Sequence, residues 1–408
     1  MKTVAGWCLS LAVLFGASPL FAETSLFQFL QKPGPYPVGL KVVNQYDRSR
    51  AFPASPGEPG KSSSGEGPRP LQTVIWYPSS GSTGKPMTVG DYVQLADTEI
   101  HFSAPNEKEN KWRSRLETSF DVSLWAVRDA HPTKERYPVV IYAPSDSSVS
   151  WENADLCEYL ASHGYIVLAS PSMGVSTRDM TDDLDGVNAQ ARDISFLITY
   201  AKTLPNADLS KVAVLSWSWG GASSLFAAAR DSRIDALVSM DGSARPYPGL
   251  VKMAADVHPE QMTIPLLFFI GGYPNLLEDM EKYHDGPIEW TIGPNVLNAW
   301  THGDLLTVNM LGMAHPEFSS MYQRRHNAQR FAENQVADYG REDANTYHAW
   351  AASYTLNFLN AYLKHDAAAA AFLKRTPAEN GVPKHFMGTH FRAAQPVSPS
   401  RTGTTASP

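Results

Sequence analysis

The ten residues from Val212 to Gly221 read VAVLSWSWGG. A short β-branched run stops at small-x-Ser-x-Gly-Gly, and a helix-prone stretch, ASSLFAAAR, follows. The pattern predicts a strand, a sharp turn and a helix, with Ser218 at the tip of the turn. So tight a turn has no room for a large side chain two residues before or after the serine. Ser216 and Gly220 occupy those places. The turn exposes the hydroxyl, and the helix behind it aims backbone N–H groups at the reaction centre. The chemistry is that of a nucleophilic serine.

A serine hydroxyl attacks only when a base takes its proton, and the base is usually a histidine held by a buried carboxylate. After such an elbow the chain order is serine, acid, histidine, each at the end of a strand. Asp241 directly follows the apolar run Ile234–Met240 and precedes a glycine, so its carboxylate reaches the same sheet edge. The loop after Ile264–Ile270 offers no carboxylate before Glu278, and Asp235 lies at the wrong end of its strand. Of 12 histidines, His302 and His315 are the serious candidates. His302 precedes the last apolar run, whereas His315 follows it with Gly312 as the bend, which favours His315. An oxyanion needs two backbone donors. One is the N–H of Trp219; the other comes from the loop after Tyr137–Ala143, from Ser145 or Asp146, because Pro144 has none. Asp146 is also a candidate substrate contact, with its carboxylate expected to point away from a developing negative charge. Trp217 and Trp219 flank the nucleophile and suit an apolar substrate pocket, with packing against the sheet the alternative for Trp217.

Apolar runs alternating with helical periodicity predict a mostly parallel sheet covered by helices on both faces. Strands are expected at Leu71–Tyr77, Tyr137–Ala143, Tyr165–Ser170, Val212–Leu215, Ile234–Met240, Ile264–Ile270 and Leu305–Met310. Helices are expected over Glu152–Ser162, about 182–203 and about 345–363, the last amphipathic. Residues 51–68, rich in Pro, Gly and Ser, read as a flexible loop, and the polar stretch 82–136 as helical cover over the site. Residues 393–408 read as a disordered tail. The organisation is a leader (1–22) and one catalytic domain (23–392) ahead of that tail.

Lys2, the apolar run Trp7–Phe15 and small residues before Ala22 make the leader secretory in type, too short to span a bilayer. The expected location is periplasmic or secreted. Once the leader is gone, Cys157 is the one thiol left, so no internal disulfide forms, and its helical setting predicts burial. A net charge of −7 and the lack of a basic stripe argue against nucleic acid. TDDLDG (181–186) would place Arg192 where a calcium loop needs a bidentate Glu. His315, Glu317 and His326 lack HExxH spacing, and no Gly-rich nucleotide fingerprint follows a strand. No metal or cofactor is expected.

Several stretches resemble the α/β-hydrolase superfamily, within it the platelet-activating-factor acetylhydrolase and dienelactone-hydrolase-like group. GPYPVGLKVV (34–43) and LQTVIWYP (71–78) are similar to its opening strands, and YPVVIYAP with LASHGYIVLAS to its oxyanion strand and next helix–strand unit. SWSWGG is similar to its elbow, MDG to its acid segment and GMAHPEFSS to its histidine segment. The resemblance implies an α/β-hydrolase fold, a Ser218–Asp241–His315 triad and hydrolysis of small-molecule or lipid-like esters. Ser216 and Trp217 replace the usual Gly and His of the elbow, and Ala143-Pro144-Ser145-Asp146 replaces the usual His-Gly-x-Gly loop. Three other readings stay open: a cutinase-like polyesterase, a peptidase on the same triad, and an inactive hydrolase-fold binding protein.

Overall fold

The computed structural model describes residues 27–53, 65–81, 83–103, 105–107, 110–271, 288–325 and 340–396. The leader 1–22, the middle of the 51–68 stretch (54–64), Glu278 and the tail from 397 lie outside them. The described strands form one sheet in the order β11-β10-β9-β8-β7-β5-β6-β2-β1-β4-β3. Its centre is parallel: β6 (Ile166–Ala169), β5 (Tyr137–Ala143), β7 (Ala207–Trp217), β8 (Ala236–Met240), β9 (Leu266–Ile270) and β10 (Leu305–Met310). These strands are continuous apolar runs because both faces are covered. On one face Val140, Tyr142 and Leu215 pack with α3 (Ala154–Ser162) and the helix Arg341–Leu363. On the other, Val139, Ile141 and Val214 pack with α4 (Leu184–Ala201) and α5 (Trp219–Arg230). The alternation puts successive residues of one strand into opposite cores. The architecture is that of an α/β-hydrolase, as the sequence predicts.

The flanks differ from expectation. Residues 51–53 and 66–68, expected in a flexible loop, extend β1 (Val38–Pro53) and β2 (Glu66–Pro78) as an antiparallel ribbon, with Phe52 opposite Gly67. β4 pairs with β1 only at Gly39 and Leu40, so the ribbon's far end has open edges where Pro53 and Pro68 need donate no ladder bond. The 82–136 stretch is not helical cover alone. Its β3 (Pro86–Thr88) and β4 (Ser123–Arg128) lengthen the sheet, while α1 (Val89–Leu95) and α2 (Trp112–Leu116) fold onto it. Glu158 of α3 ties this stretch down, accepting from the N–H groups of Trp125 (2.5 Å) and Ala126 (3.0 Å) and from the Tyr92 hydroxyl.

The helix Arg341–Leu363 shows almost no apolar stripe, because it is covered on several sides. The segment from Phe27 lies across it: Gln31 donates to the Ala349 carbonyl at 2.7 Å, and Phe27 and Phe29 pack edge-on to His348. Residues 387–392 form β11, antiparallel to β10. The first residues of the expected tail also run ordered along the sheet edge, where Ala394 N–H bonds Asp304 and Gln395 N–H bonds the Thr301 carbonyl, each at 2.8 Å. Cys157 is fully buried, which pushes its thiol well up. The acidic run at 181–186 is a helix start, with Asp183 capping α4 through Gly186 N–H at 2.9 Å. No described helix is long and apolar enough to cross a membrane.

Candidate active site

β7 runs into a turn at Ser218 and α5 starts one residue later. Ser218 holds φ 54° and ψ −126°, a backbone state that costs a non-glycine residue about 1–3 kcal/mol. Hydrogen bonds fix it there. Ser218 N–H donates to the Met240 carbonyl at 3.1 Å, and its own carbonyl accepts from Gly221 (2.8 Å) and Ser243 (2.9 Å). A Cβ on Gly220 would sit 2.3 Å from the Ala143 carbonyl oxygen, and one on Gly221 2.5 Å from the Gly242 Cα. The double glycine therefore lets α5 approach the ends of both β5 and β8. Ser216 is small enough for the turn, and its hydroxyl joins the Val238 carbonyl and the Ser224 hydroxyl, each at 3.1 Å.

Asp241 leaves the end of β8 with φ 46° and is buried. Its Oδ1 accepts Gly271 N–H at 3.0 Å, and its Oδ2 lies 2.6 Å from His315 Nδ1. Burial opposes its ionisation, but the His315 ring, the Gly271 N–H and the Arg245 charge together hold its carboxyl below the usual range. The other ring nitrogen, His315 Nε2, lies 2.8 Å from Ser218 Oγ. An ionised Asp241 accepts the Nδ1 proton, so Nε2 is left as the acceptor facing the serine hydroxyl.

His315 sits in a single helical turn, His315–Phe318, beyond β10. Buried Glu317 holds the turn by accepting Ala314 N–H at 2.6 Å. His302 stands at the opposite edge, half-buried, with Nδ1 3.0 Å from the Gln395 carbonyl. Ser218, Asp241 and His315 are thus brought into one hydrogen-bonded chain at the sheet's C-terminal edge, and His302 is not part of it.

Two expectations change. Ser145 was one of two candidate donors for an oxyanion, but its N–H is engaged by the buried Glu152 carboxylate at 2.9 Å. The Asp146 N–H has no acceptor among the described residues. The Trp219 N–H opens α5, so no carbonyl stands a turn behind it. Trp217, expected to wall a substrate pocket, is 3% exposed. Its indole N–H donates to the His315 carbonyl at 3.1 Å, and its ring lies 5.2 Å from the imidazole. The indole holds the histidine segment.

Asp146, expected as a substrate contact, has an exposed side chain whose Oδ1 accepts the Ser147 hydroxyl at 3.1 Å. Partial desolvation, then the negative charges of Asp182 and Asp179, push its carboxyl up to about 6.

The two tryptophans that flank the serine in sequence each join a different, largely buried aromatic cluster. Trp219, Tyr247 and Trp290 pack at 5.8–6.1 Å in one; Trp217, Tyr322 and Trp112 pack at 5.3–5.9 Å in the other. Sequence reasoning missed Glu152 and Glu317. A glutamate among apolar residues carries no spacing signal; only the fold turns it toward a loop.

Residues 126–279 match the dienelactone hydrolase family. The match takes in Ser218 and Asp241 and ends before His315, which the fold supplies. In structure the chain is similar to a ferulic acid esterase from Streptomyces cinnamoneus, with a TM-score of 0.59 and 20% identity over 89% of this chain and 98% of that one. No curated protein matches the chain. The fold is that of the α/β-hydrolases, and the stretch that matches the dienelactone hydrolase family lies within it. Within that class, the chain is a carboxylic ester hydrolase.

Proposed function

We propose that the chain is an exported serine esterase working through an acyl-enzyme. One observation carries the reading: His315 bridges Ser218 Oγ at 2.8 Å and Asp241 Oδ2 at 2.6 Å through its two ring nitrogens. Ser218 Oγ attacks the ester carbonyl carbon while His315 Nε2 takes its proton. The imidazolium so formed is stabilised by Asp241. The carbonyl oxygen becomes an oxyanion and takes the N–H groups of Trp219 and Asp146. As the intermediate collapses, His315 returns the proton to the departing alcohol. Water, deprotonated by His315, then releases the acid. The leader-like segment at residues 1–22 supports export.

A structural relative named as a ferulic acid esterase supports an aromatic ester as a substrate class. The test is a panel of p-nitrophenyl acetate, p-nitrophenyl butyrate, methyl ferulate and a peptide anilide. Wild type is expected to cleave the esters and not the anilide, and Ser218→Ala to lose at least about 10³-fold in kcat. A Ser218→Ala variant that keeps ester turnover would overturn the reading.

A further inference from the structure

The Glu152 carboxyl is buried, and no cation among the described residues forms an ion pair with it. Three neutral donors reach it. Ser145 N–H (2.9 Å) and the Tyr142 hydroxyl (3.0 Å) bond Oε2, and the Ser145 hydroxyl bonds Oε1. Two of the three come from the one residue that precedes Asp146 in the loop after β5. The Ser145 carbonyl is fixed in turn by the Ser172 hydroxyl.

The same stretch of chain also grips the histidine segment. The Glu152 carbonyl accepts the Ser319 hydroxyl (2.9 Å) and Met321 N–H (3.2 Å). Asn153 donates to the Phe318 carbonyl (2.7 Å) and accepts Ser320 N–H (3.1 Å). Residues 152 and 153 therefore join the loop that faces the nucleophile to the segment that carries His315.

We propose that Glu152 is a positioning residue for the oxyanion site: by holding Ser145 N–H it turns the next N–H, that of Asp146, to the developing oxyanion, and it fixes that loop against the His315 segment. The inference rests on the esterase reading above. Burying a carboxyl with no cation partner is costly, and the three donors offset that cost. Burial accordingly pushes this carboxyl up to about 7, against the pull of the Ser145 N–H and of the Ser145, Ser148 and Tyr142 hydroxyls around it.

The test compares wild type, Glu152→Leu, Glu152→Gln and Glu152→Asp with p-nitrophenyl acetate. Rates are taken per reactive site, counted at the end point of fluorophosphonate labelling, with a melting temperature at pH 8 for each. Glu152→Leu frees Ser145, and its per-site kcat is expected to fall roughly 10²-fold, the loss that follows removal of one oxyanion donor, with KM within about threefold. Its melting temperature is expected to fall as well, because three buried donors lose their acceptor, so the per-site kcat is the deciding readout. Glu152→Gln keeps a carbonyl for Ser145 N–H and is expected to recover to within about fivefold of wild type. If the leucine variant does not fold, Glu152→Asp, one methylene short of Ser145, is expected to lose about tenfold per site.

A purely structural residue would lower melting temperature and the count of reactive sites while leaving per-site kcat and KM unchanged, and that outcome overturns the proposal. Failure of wild type to label at Ser218 overturns the esterase reading itself, so the two failures are distinct.

Discussion

Replacing Asp241 by Asn tests the proton arrangement at its most sensitive point. The carboxylate has two fixed partners, both donors: Gly271 N–H at 3.0 Å on Oδ1 and His315 Nδ1 at 2.6 Å on Oδ2. An Asn carbonyl satisfies one of them. If it keeps Gly271, its NH₂ faces Nδ1, which must then be the acceptor; the ring proton moves to Nε2, and Ser218 has no base. If it flips, NH₂ meets a backbone N–H in a buried site, donor against donor, at about 1–3 kcal/mol. The rigid partner is the backbone, so the wrong tautomer wins. Its expected consequence is a fall in kcat of about 10⁴, or ~5 kcal/mol of transition-state stabilisation. KM and the melting temperature change little, because shape and burial are kept. The assay is the pH–rate profile of p-nitrophenyl acetate hydrolysis for wild type and Asp241→Asn, with circular dichroism as the folding control. A folded Asp241→Asn enzyme retaining a tenth of wild-type kcat would refute the proton assignment.

Other perturbations reach the frame around the site. Trp217→Phe keeps the ring and removes the N–H held by the His315 carbonyl, so kcat is expected to fall about three- to tenfold, the loss of one neutral hydrogen bond, and an unchanged rate would contradict this role. Asp155→Ala leaves Arg324 buried against Phe27 with no carboxylate partner among the described residues and is expected to cost about 3–5 kcal/mol in urea unfolding; a cost under about 1 kcal/mol would exclude a buried pair there. Burial pushes the Glu158 carboxyl up to about 8, so the folded state holds a proton that the unfolded chain releases near its ordinary value. Stability carried by this group therefore falls as pH rises between those values, by up to about 1.4 kcal/mol per pH unit. Glu158→Gln is expected to flatten that slope between pH 5.5 and 7.5, and parallel slopes in urea titrations would count against it.

What the sequence could reveal follows from how local each signal is. The elbow at Ser218 is encoded within ten residues, since the turn itself demands small residues at 216 and 220. Asp241 was legible because it follows its strand directly, and the central strands because burial on both faces makes them continuously apolar. The donor opposite Trp219 was not legible. Whether Ser145 or Asp146 faces the oxyanion depends on Glu152, seven residues on, and nothing in the spacing says which way that side chain turns. Trp217 was ambiguous for the same reason, because its partner is the carbonyl of residue 315. The ribbon at 51–53 and 66–68 was hidden by its prolines, which an open edge tolerates. The helix Arg341–Leu363 shows little amphipathic pattern because the segment from Phe27 covers a further side of it.

The account depends on the Ser218 hydroxyl being activated by His315. The most direct measurement is the stoichiometry and site of modification by a fluorophosphonate, read by peptide mass spectrometry. One adduct per chain on the peptide bearing Ser218, absent from Ser218→Ala and strongly slowed in His315→Ala, is the expected result. No adduct, or an adduct on another residue of the intact protein, would contradict it.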